Sequence, residues 1–574
     1  MLTTIPRLFR IPLYSLAMLI LCACNQENNG ANTPPVASNV IIRDINGSNL
    51  ETGDVLVASY SYSDVDGDAK GGGLFRWLRD GLAIPGASAT QYTLTSEDIG
   101  AAITFEVRPV AQTGESPGAA VTGSVILAGE ANENWDSDDF ETVYDVGPSW
   151  AYADPSEIPW ESLGPSTLVR IHWRAEPYRH KWVINTVATE SNPLVIAGIP
   201  NGDQLPVISG ENAFTREALS YWNERRSIIK VGGSNLPSDD LMPAHIIIDA
   251  LEIRSAHPGH TFTDADGNRD SYASNAAAIH LEKGTHITVR NCILHDSGNG
   301  LFSGAGTSNV TISRNYIYDN GIENSIYHHN SYTESLGIVF EYNRYGPLRS
   351  GAGGNNLKDR SAGTVIRYNW IESGNRQLDL VDTDYFEAQA SYRSTFVYGN
   401  VLIEPDGAGN SQIIHYGGDS GETERYRKGT LYFYNNTVVS TRTGNTTLIR
   451  LSSNTENADI RNNVIEATAG GNYLAISAGQ GDTTLYDNWL SDGWKASHES
   501  LSGTVTSDGN ITSAESCLND VAGQDFTLSE SAACINAATE LAPNASELNM
   551  QYFPHQKSRF RKEDGYRDMG AFEQ

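Results

Sequence analysis

Lys358 and Arg360 lie two apart in the stretch Asn356-Leu357-Lys358-Asp359-Arg360-Ser361, and Arg367 and Arg376 follow closely. A lysine can take up a proton once burial or neighbouring cations lower its pKa, and an arginine fork neutralises oxyanions. Together they meet the needs of elimination beside a carboxylate: a base for the α-proton, a cation for the carboxylate and an acid for the leaving oxygen. Lys358 is the expected base, with Arg360 or Arg376 neutralising the carboxylate. Tyr332, His329 or His415 is the expected acid, and Asp379 would orient or tune Lys358. A second chemistry uses the carboxylates Asp379 and Asp382, with Asp384 nearby. Such a pair can protonate a glycosidic oxygen and activate water. The plainer alternative for each is an ion pair: Lys358 with Asp359 or Asp379, and the acids with Arg376 or Lys358.

These residues act together only if the chain stacks them. Asn315, Asn343, Asn369, Asn400, Asn436, Asn463 and Asn488 recur with gaps of 28, 26, 31, 36, 27 and 25 residues. Each follows an apolar position by three, as in Val365-Ile366-Arg367-Tyr368-Asn369, and Cys292 takes the Asn place one coil earlier. Such a period predicts a solenoid in which each coil closes its neighbour's core, with each Asn in the left-handed conformation at a tight bend and stacked on its copies as an internal amide ladder. The expected fold is all-β, a right-handed parallel β-helix over residues 140–574 with a C-terminal cap. In a strand, the middle residue of an apolar-x-apolar triplet points outward. The outward row then reads His280, Phe302, Tyr332, Lys358, Asp379, His415, Arg450. His280, Arg360, Arg376, Asp382 and Arg450 are the expected substrate contacts.

The stretches Val169-Arg170-Ile171-His172-Trp173-Arg174, Asn356 to Ser361, Gln377-Leu378-Asp379-Leu380-Val381-Asp382 and Asp568-Met569-Gly570-Ala571-Phe572-Glu573 carry a wider likeness. Residues from about 166 onward resemble bacterial right-handed parallel β-helix carbohydrate-active proteins, polysaccharide lyases in particular. The resemblance implies a Lys or Arg base on an outward coil position, which Lys358 matches. It implies a lyase acting on a uronic-acid polysaccharide, with an inverting glycoside hydrolase or a non-catalytic glycan binder as the alternatives. The calcium-binding Asp cluster of some pectate lyases is not evident, which puts a required Ca²⁺ in doubt.

The N-terminus reads as an address. Arg7 and Arg10 precede the apolar run Ile11 to Ala23, and Leu21-Cys22-Ala23-Cys24 resembles a bacterial lipobox. Residues 1–24 are expected to be a lipoprotein signal peptide with Cys24 lipidated, and 25–35 a polar tether. This implies an outer-membrane lipoprotein on the periplasmic or cell-surface side with a lipid anchor; the protein is expected to be a monomer. Residues 36–128 show short alternating runs split by turns, with a central Trp77, and resemble an Ig-like module of bacterial surface proteins. Asp64, Asp66 and Asp68 read as a solvated turn. Asp264, Asp266, Asn268 and Asp270 resemble half of a calcium loop without its distant Glu, so Ca²⁺ there is a secondary expectation. No Cys/His zinc pattern, Gly-x-Ser-x-Gly elbow or phosphate-binding Gly loop occurs. Cys517 and Cys534 are candidates for a disulfide, and Cys292 for a small buried core residue.

The chain of 574 residues has 70 acidic against 39 basic side chains and a net charge of −31. That excludes a general nucleic-acid binder. The segment Arg344–Arg376 departs from this: six basic residues face only Asp359 and Glu372. An acidic glycan is therefore admissible as a partner at short range.

Overall fold

The computed structural model describes residues 32–44, 53–79, 81–95, 98, 101–123, 126–127, 135–561 and 566–574. The expected signal peptide with Cys24, and the expected tether up to residue 31, lie outside the described residues. Two compact units are present. The smaller holds antiparallel pairs, including Val36–Asp44 with Val55–Ser63 and Lys70–Arg79 with Ala102–Ala111. Trp77 and Phe105 are fully buried there, ring against ring at 5.0 Å. Asp64 Oδ1 accepts the backbone N–H groups of Asp66 and Asp68, so this acidic triplet closes its own turn.

The larger unit is a right-handed parallel β-helix built from three parallel sheets, and no α-helix occurs among the described residues. One coil shows the plan: Leu357–Asp359, then Ala362–Arg367, then Trp370–Glu372, each pairing in parallel with its counterpart in the next coil. The inward residues form continuous apolar files. Leu357, Leu378, Ile414 and Ile449 stack in the first sheet, and Ile366, Val397, Phe433 and Ile460 in the second. Ile371, Leu402, Val438 and Ile465 stack in the third, and nearly all of these are inaccessible to water. Each fully buried aliphatic side chain contributes about 1.5–3 kcal/mol, so coil stacking dominates the stability of the solenoid.

The amide ladder forms at the bend between the second and third sheets. Asn343 Nδ2 donates to Asn369 Oδ1 at 2.9 Å, Asn369 to Asn400 at 2.9 Å and Asn400 to Asn436 at 2.9 Å. The stack runs from Asn315 to Asn510, and Asn315 Oδ1 receives the Cys292 N–H. One expectation needs correction. The left-handed residue is the one before each ladder Asn: Arg314, Tyr342, Tyr368, Gly399, Asn435, Asn462 and Asp487. The ladder Asn must keep its side chain inside the coil, so the residue ahead of it takes the turn. The strain of roughly 1–2 kcal/mol at a non-glycine position is offset by the buried amide bonds.

The C-terminal segment lies along the flank of the coils. Cys517, Phe526, Cys534, Tyr552 and Phe572 pack on Trp370, Val401, Val439, Val464 and Trp489 of five successive coils. Cys517 and Cys534 form a disulfide, and Cys292 is fully buried in the core.

Candidate functional site

The outward row of the first sheet is held in strict register. His280 pairs with Phe302, Phe302 with Tyr332, Tyr332 with Lys358, Lys358 with Asp379, Asp379 with His415, and His415 with Arg450. At about 4.8 Å per coil, Tyr332 to Arg450 spans roughly 19 Å. A cavity of about 1000 Å³ opens over this row. Its cations are Arg226, Lys358, Arg360, Arg376 and Arg450, and its carboxylates are Asp379 and Asp419. Gly418 lets the Asp419 loop fold in, since a Cβ there would lie 2.1 Å from the Tyr426 ring.

Lys358 sits at the centre. Its Nζ donates to Asp379 Oδ2 at 2.7 Å and to Asp419 Oδ2 at 2.5 Å. Burial opposes the ammonium, but the two carboxylates outweigh it, and the Lys358 pKa is raised. This corrects the expectation of a base with a lowered pKa: in the free protein Lys358 is an ammonium. Asp379 also accepts from Asn355 Nδ2 at 2.7 Å and lies 2.8 Å from His415 Nδ1. Burial would raise its pKa, yet Lys358 and His415 drive it far below the usual carboxylate range. Asp419 is lowered likewise, because Lys358 and Arg360 outweigh its desolvation.

Arg360 joins the same network. Its Nε donates to the Tyr332 hydroxyl at 2.9 Å and its Nη2 to Asp419 Oδ1 at 2.7 Å. The Tyr332 O–H is then left to point away from Arg360. Arg376 and Arg450 line the cavity without an ion pair to any carboxylate among the described residues. Arg376 donates to Gln412 at 3.0 Å, and burial lowers its pKa. His329 lines the cavity beside Tyr332, with ring centroids 5.3 Å apart. Its Nδ1 accepts the Asn355 N–H at 2.9 Å, so in the neutral ring Nε2 carries the hydrogen. Burial and the nearby Lys358 lower its pKa to about 3.

Four further expectations are corrected. His280 is in the row but not in the cavity: it is buried beneath Phe302, with Arg226 over that ring. Asp382 is 1 % exposed and accepts the backbone N–H groups of Asp419 and Ser420, so it shapes the loop and does not reach the cavity. His415 faces Asp379 with Nδ1 and Ser452 Oγ with Nε2, both at 2.8 Å, leaving no free nitrogen to act as the acid. Asp264, Asp266 and Asp270 form no metal cluster. Asp264 Oδ1 accepts the N–H groups of Asp266 and Asn268, and Asp270 pairs with Arg225. His257, His260 and Asp296 do cluster. They fit a metal poorly, because His257 Nδ1 accepts the Gly259 N–H and so places the hydrogen of the neutral ring on Nε2. Arg349 and Ser255 donate to the Asp296 carboxylate as well.

Asp419, Asn355 and Arg226 belong to the site and had no role in the sequence reading. The one sequence signal for Asp419 is the Gly417-Gly418 pair before it, because glycines allow a close turn and the approach of a ligand. Asn355 and Arg226 sit in irregular loops that no repeat register places.

No protein family matches the sequence, and no curated protein does. Solved structures do align. An alginate lyase from a Paenibacillus species aligns at 10 % identity and TM-score 0.39, over 64 % of this chain and 99 % of that one. An exopolygalacturonase from Yersinia enterocolitica aligns at 10 % identity and TM-score 0.31, over 85 % and 100 %. A lacto-N-biosidase from Eubacterium ramulus aligns at 10 % identity and TM-score 0.35, over 65 % and 67 %.

Proposed function

We propose that this protein cleaves a uronic-acid-containing acidic polysaccharide by β-elimination in the cavity over Lys358. One observation carries the reading. Five cations against two carboxylates line this cavity in a chain of net charge −31. Concentrating cations in one cleft against the charge of the whole chain favours an anionic ligand there.

Arg376 and Arg450, unengaged by carboxylates, meet the uronate groups. Tyr332 and Lys358 form the proton-transfer pair. The Tyr332 hydroxyl first gives its proton to solvent, and the resulting phenolate, held by the Arg360 Nε–H, takes the α-proton and becomes the neutral hydroxyl again. The C–H electrons form the new double bond, the C–O bond to the leaving sugar breaks, and the Lys358 ammonium gives its proton to that oxygen. Asp379, fixed by Asn355 and paired with His415, positions Lys358. A hydrolase on Asp379 is disfavoured by the same geometry. Both cavity carboxylates have lowered pKa values, so neither supplies the protonated acid that glycoside hydrolysis needs. On the lipobox-like sequence ending at Cys24, the proposed location is the outer membrane, by a lipid anchor.

The test is incubation with a panel of uronic-acid polymers, following absorbance at roughly 230–235 nm, where the unsaturated product of elimination absorbs. New reducing ends with that absorbance are expected. New ends without it overturn elimination in favour of hydrolysis, and binding without new ends identifies a glycan-binding protein.

A further inference from the structure

The two ends of the cavity differ. Before Phe302, the row positions Lys230 and His280 are roofed by chain. Lys230 Nζ donates to Trp222 O at 2.6 Å and pairs with Glu282, and its side chain is wholly buried. The short turn Glu224–Arg226 brings Arg226 over Phe302 at 4.8 Å, and Arg226 Nε donates to Asn275 O. A second loop braces the first: Arg225 Nε donates to Ser271 O, and Ala273 N–H to Arg225 O. Arg226, Ser274 and Asn275 therefore form an end wall of the cavity. At the other end, Arg450 is exposed, and the register carries the row from Arg450 to the small Ala478. There a second hollow of about 420 Å³, also lined by Arg450, continues the path.

We propose that Arg226 and Asn275 form a chain-end subsite, so that the protein removes short units from one terminus of its polymer. The inference rests on the acidic-polysaccharide reading above and adds the mode of action. From Phe302 the proton-transfer pair lies one coil spacing away at Tyr332 and two at Lys358, about 5–10 Å, which leaves room for about one or two sugar rings between the wall and that pair. The remainder of the chain leaves over Arg450. Among the described residues no carboxylate pairs with Arg226, which meets the wall-side sugar as a cation; burial lowers its pKa and the charge of Glu282 opposes that. Its preferred partner is an anionic or hydroxyl-rich terminal sugar.

The experiment uses the full chain with polymannuronate, polyguluronate, polygalacturonate and hyaluronan, and measures product size against time. Expected are unsaturated mono- or disaccharides from the first turnovers, while mean polymer size falls slowly. An early ladder of intermediate oligomers with rapid loss of viscosity overturns the proposal. Short products without the unsaturated chromophore keep the chain-end subsite and overturn elimination. A second arm needs no turnover. Lys358→Gln protein is titrated with long and short chains of the same polymer. Affinity constant per chain end supports the subsite; affinity rising in proportion to chain length overturns it. Binding to none of the four overturns the acidic-polysaccharide reading together with the subsite. Arg226→Ala is expected to raise KM about tenfold, the scale of one lost charged hydrogen bond, and to lengthen the products. Unchanged KM and product size in that variant remove Arg226 from the subsite.

Discussion

Two stacks run along this solenoid, each with one residue per coil. At the bend between the second and third sheets the same residue repeats, from Asn315 to Asn510. On the outer face of the first sheet no residue repeats from one coil to the next: Phe302, Tyr332, Lys358, Asp379, His415, Arg450. The coil spacing is common to both, so the difference is chemical. An amide holds a donor and an acceptor, and copies of it satisfy one another. A charge stacked on its own copy at this spacing is repelled by a few kcal/mol at an effective dielectric of about 20. An ionic row must therefore alternate, as Lys358 and Asp379 do, or leave its cations spaced and unpaired, as with Arg450. The first stack stores stability; the second stores charge where a ligand can reach it.

Breaking each stack should separate these roles. The largest effect is expected from Lys358→Gln, which keeps an N–H donor near Asp379 but removes the charge and the proton. Turnover on a cleaved polyuronate should fall about a thousandfold with the far-ultraviolet circular dichroism spectrum preserved. Wild-type-like turnover would remove Lys358 from the chemistry. Tyr332→Phe deletes one hydroxyl and should cost about a hundredfold in kcat, with less change in KM. A loss confined to KM would make Tyr332 a binding residue.

The ladder should respond in the opposite sense. In Asn369→Ala the Asn343 N–H and the Phe340 carbonyl lose buried partners. About 3 kcal/mol of stability should be lost in denaturant titrations, with turnover at 25 °C retained. Equal loss of turnover would mean that the ladder also sets the geometry of the row.

The pH dependence sharpens the contrast further. His329 has a folded pKa of about 3, below its ordinary value of about 6.5, so the unfolded chain binds a proton that the folded chain refuses. Stability is lost as pH falls through that window, at up to about 1.4 kcal/mol per pH unit. Lys358, Asp379, His328 and Asp419 are the charged or titratable groups acting on it. The depressed Asp379 acts in the same direction at lower pH, its contribution being present above the unfolded carboxylate range and lost on further acidification. His329→Gln should flatten the slope of unfolding free energy between pH 6.5 and 3 by about one proton; an unchanged slope would assign that proton to another group. The smallest effect is expected from Asp266→Asn in the exposed acidic loop: a change within about 0.5 kcal/mol and no loss of calcium affinity. A measurable fall in calcium binding would restore a metal site there.

The register of the row was legible in the sequence because most coils carry a marked Asn and several row strands an apolar-x-apolar triplet, as in Ile279-His280-Leu281, Leu378-Asp379-Leu380 and Ile414-His415-Tyr416, although Ser331-Tyr332-Thr333 and Leu357-Lys358-Asp359 depart from it. Lys358, Asp379 and His415 could be placed beside one another on that ground alone. Their electrostatic states could not. Sequence proximity to Arg360, Arg367 and Arg376 suggested a lysine with a lowered pKa, but Arg367 belongs to the second sheet, where it pairs with Glu341. The ammonium instead meets Asp419, delivered by a loop from another coil. His280 shows the same limit. The register sets its place in the row, paired with Phe302, and the loops that bury it follow no repeat.

The sequence alone determined the periodic part of this protein: the parallel coils, the amide ladder and the order of the outward row. Period and alternation are local properties of the chain, and stacking only copies them. The tertiary structure decided which row residues face the cavity, which are paired and which end is closed. Those outcomes depend on irregular loops that bring Asp419, Asn355 and Arg226 together from distant coils. Contacts between loops are set by packing and charge in three dimensions, and no spacing along the chain encodes them.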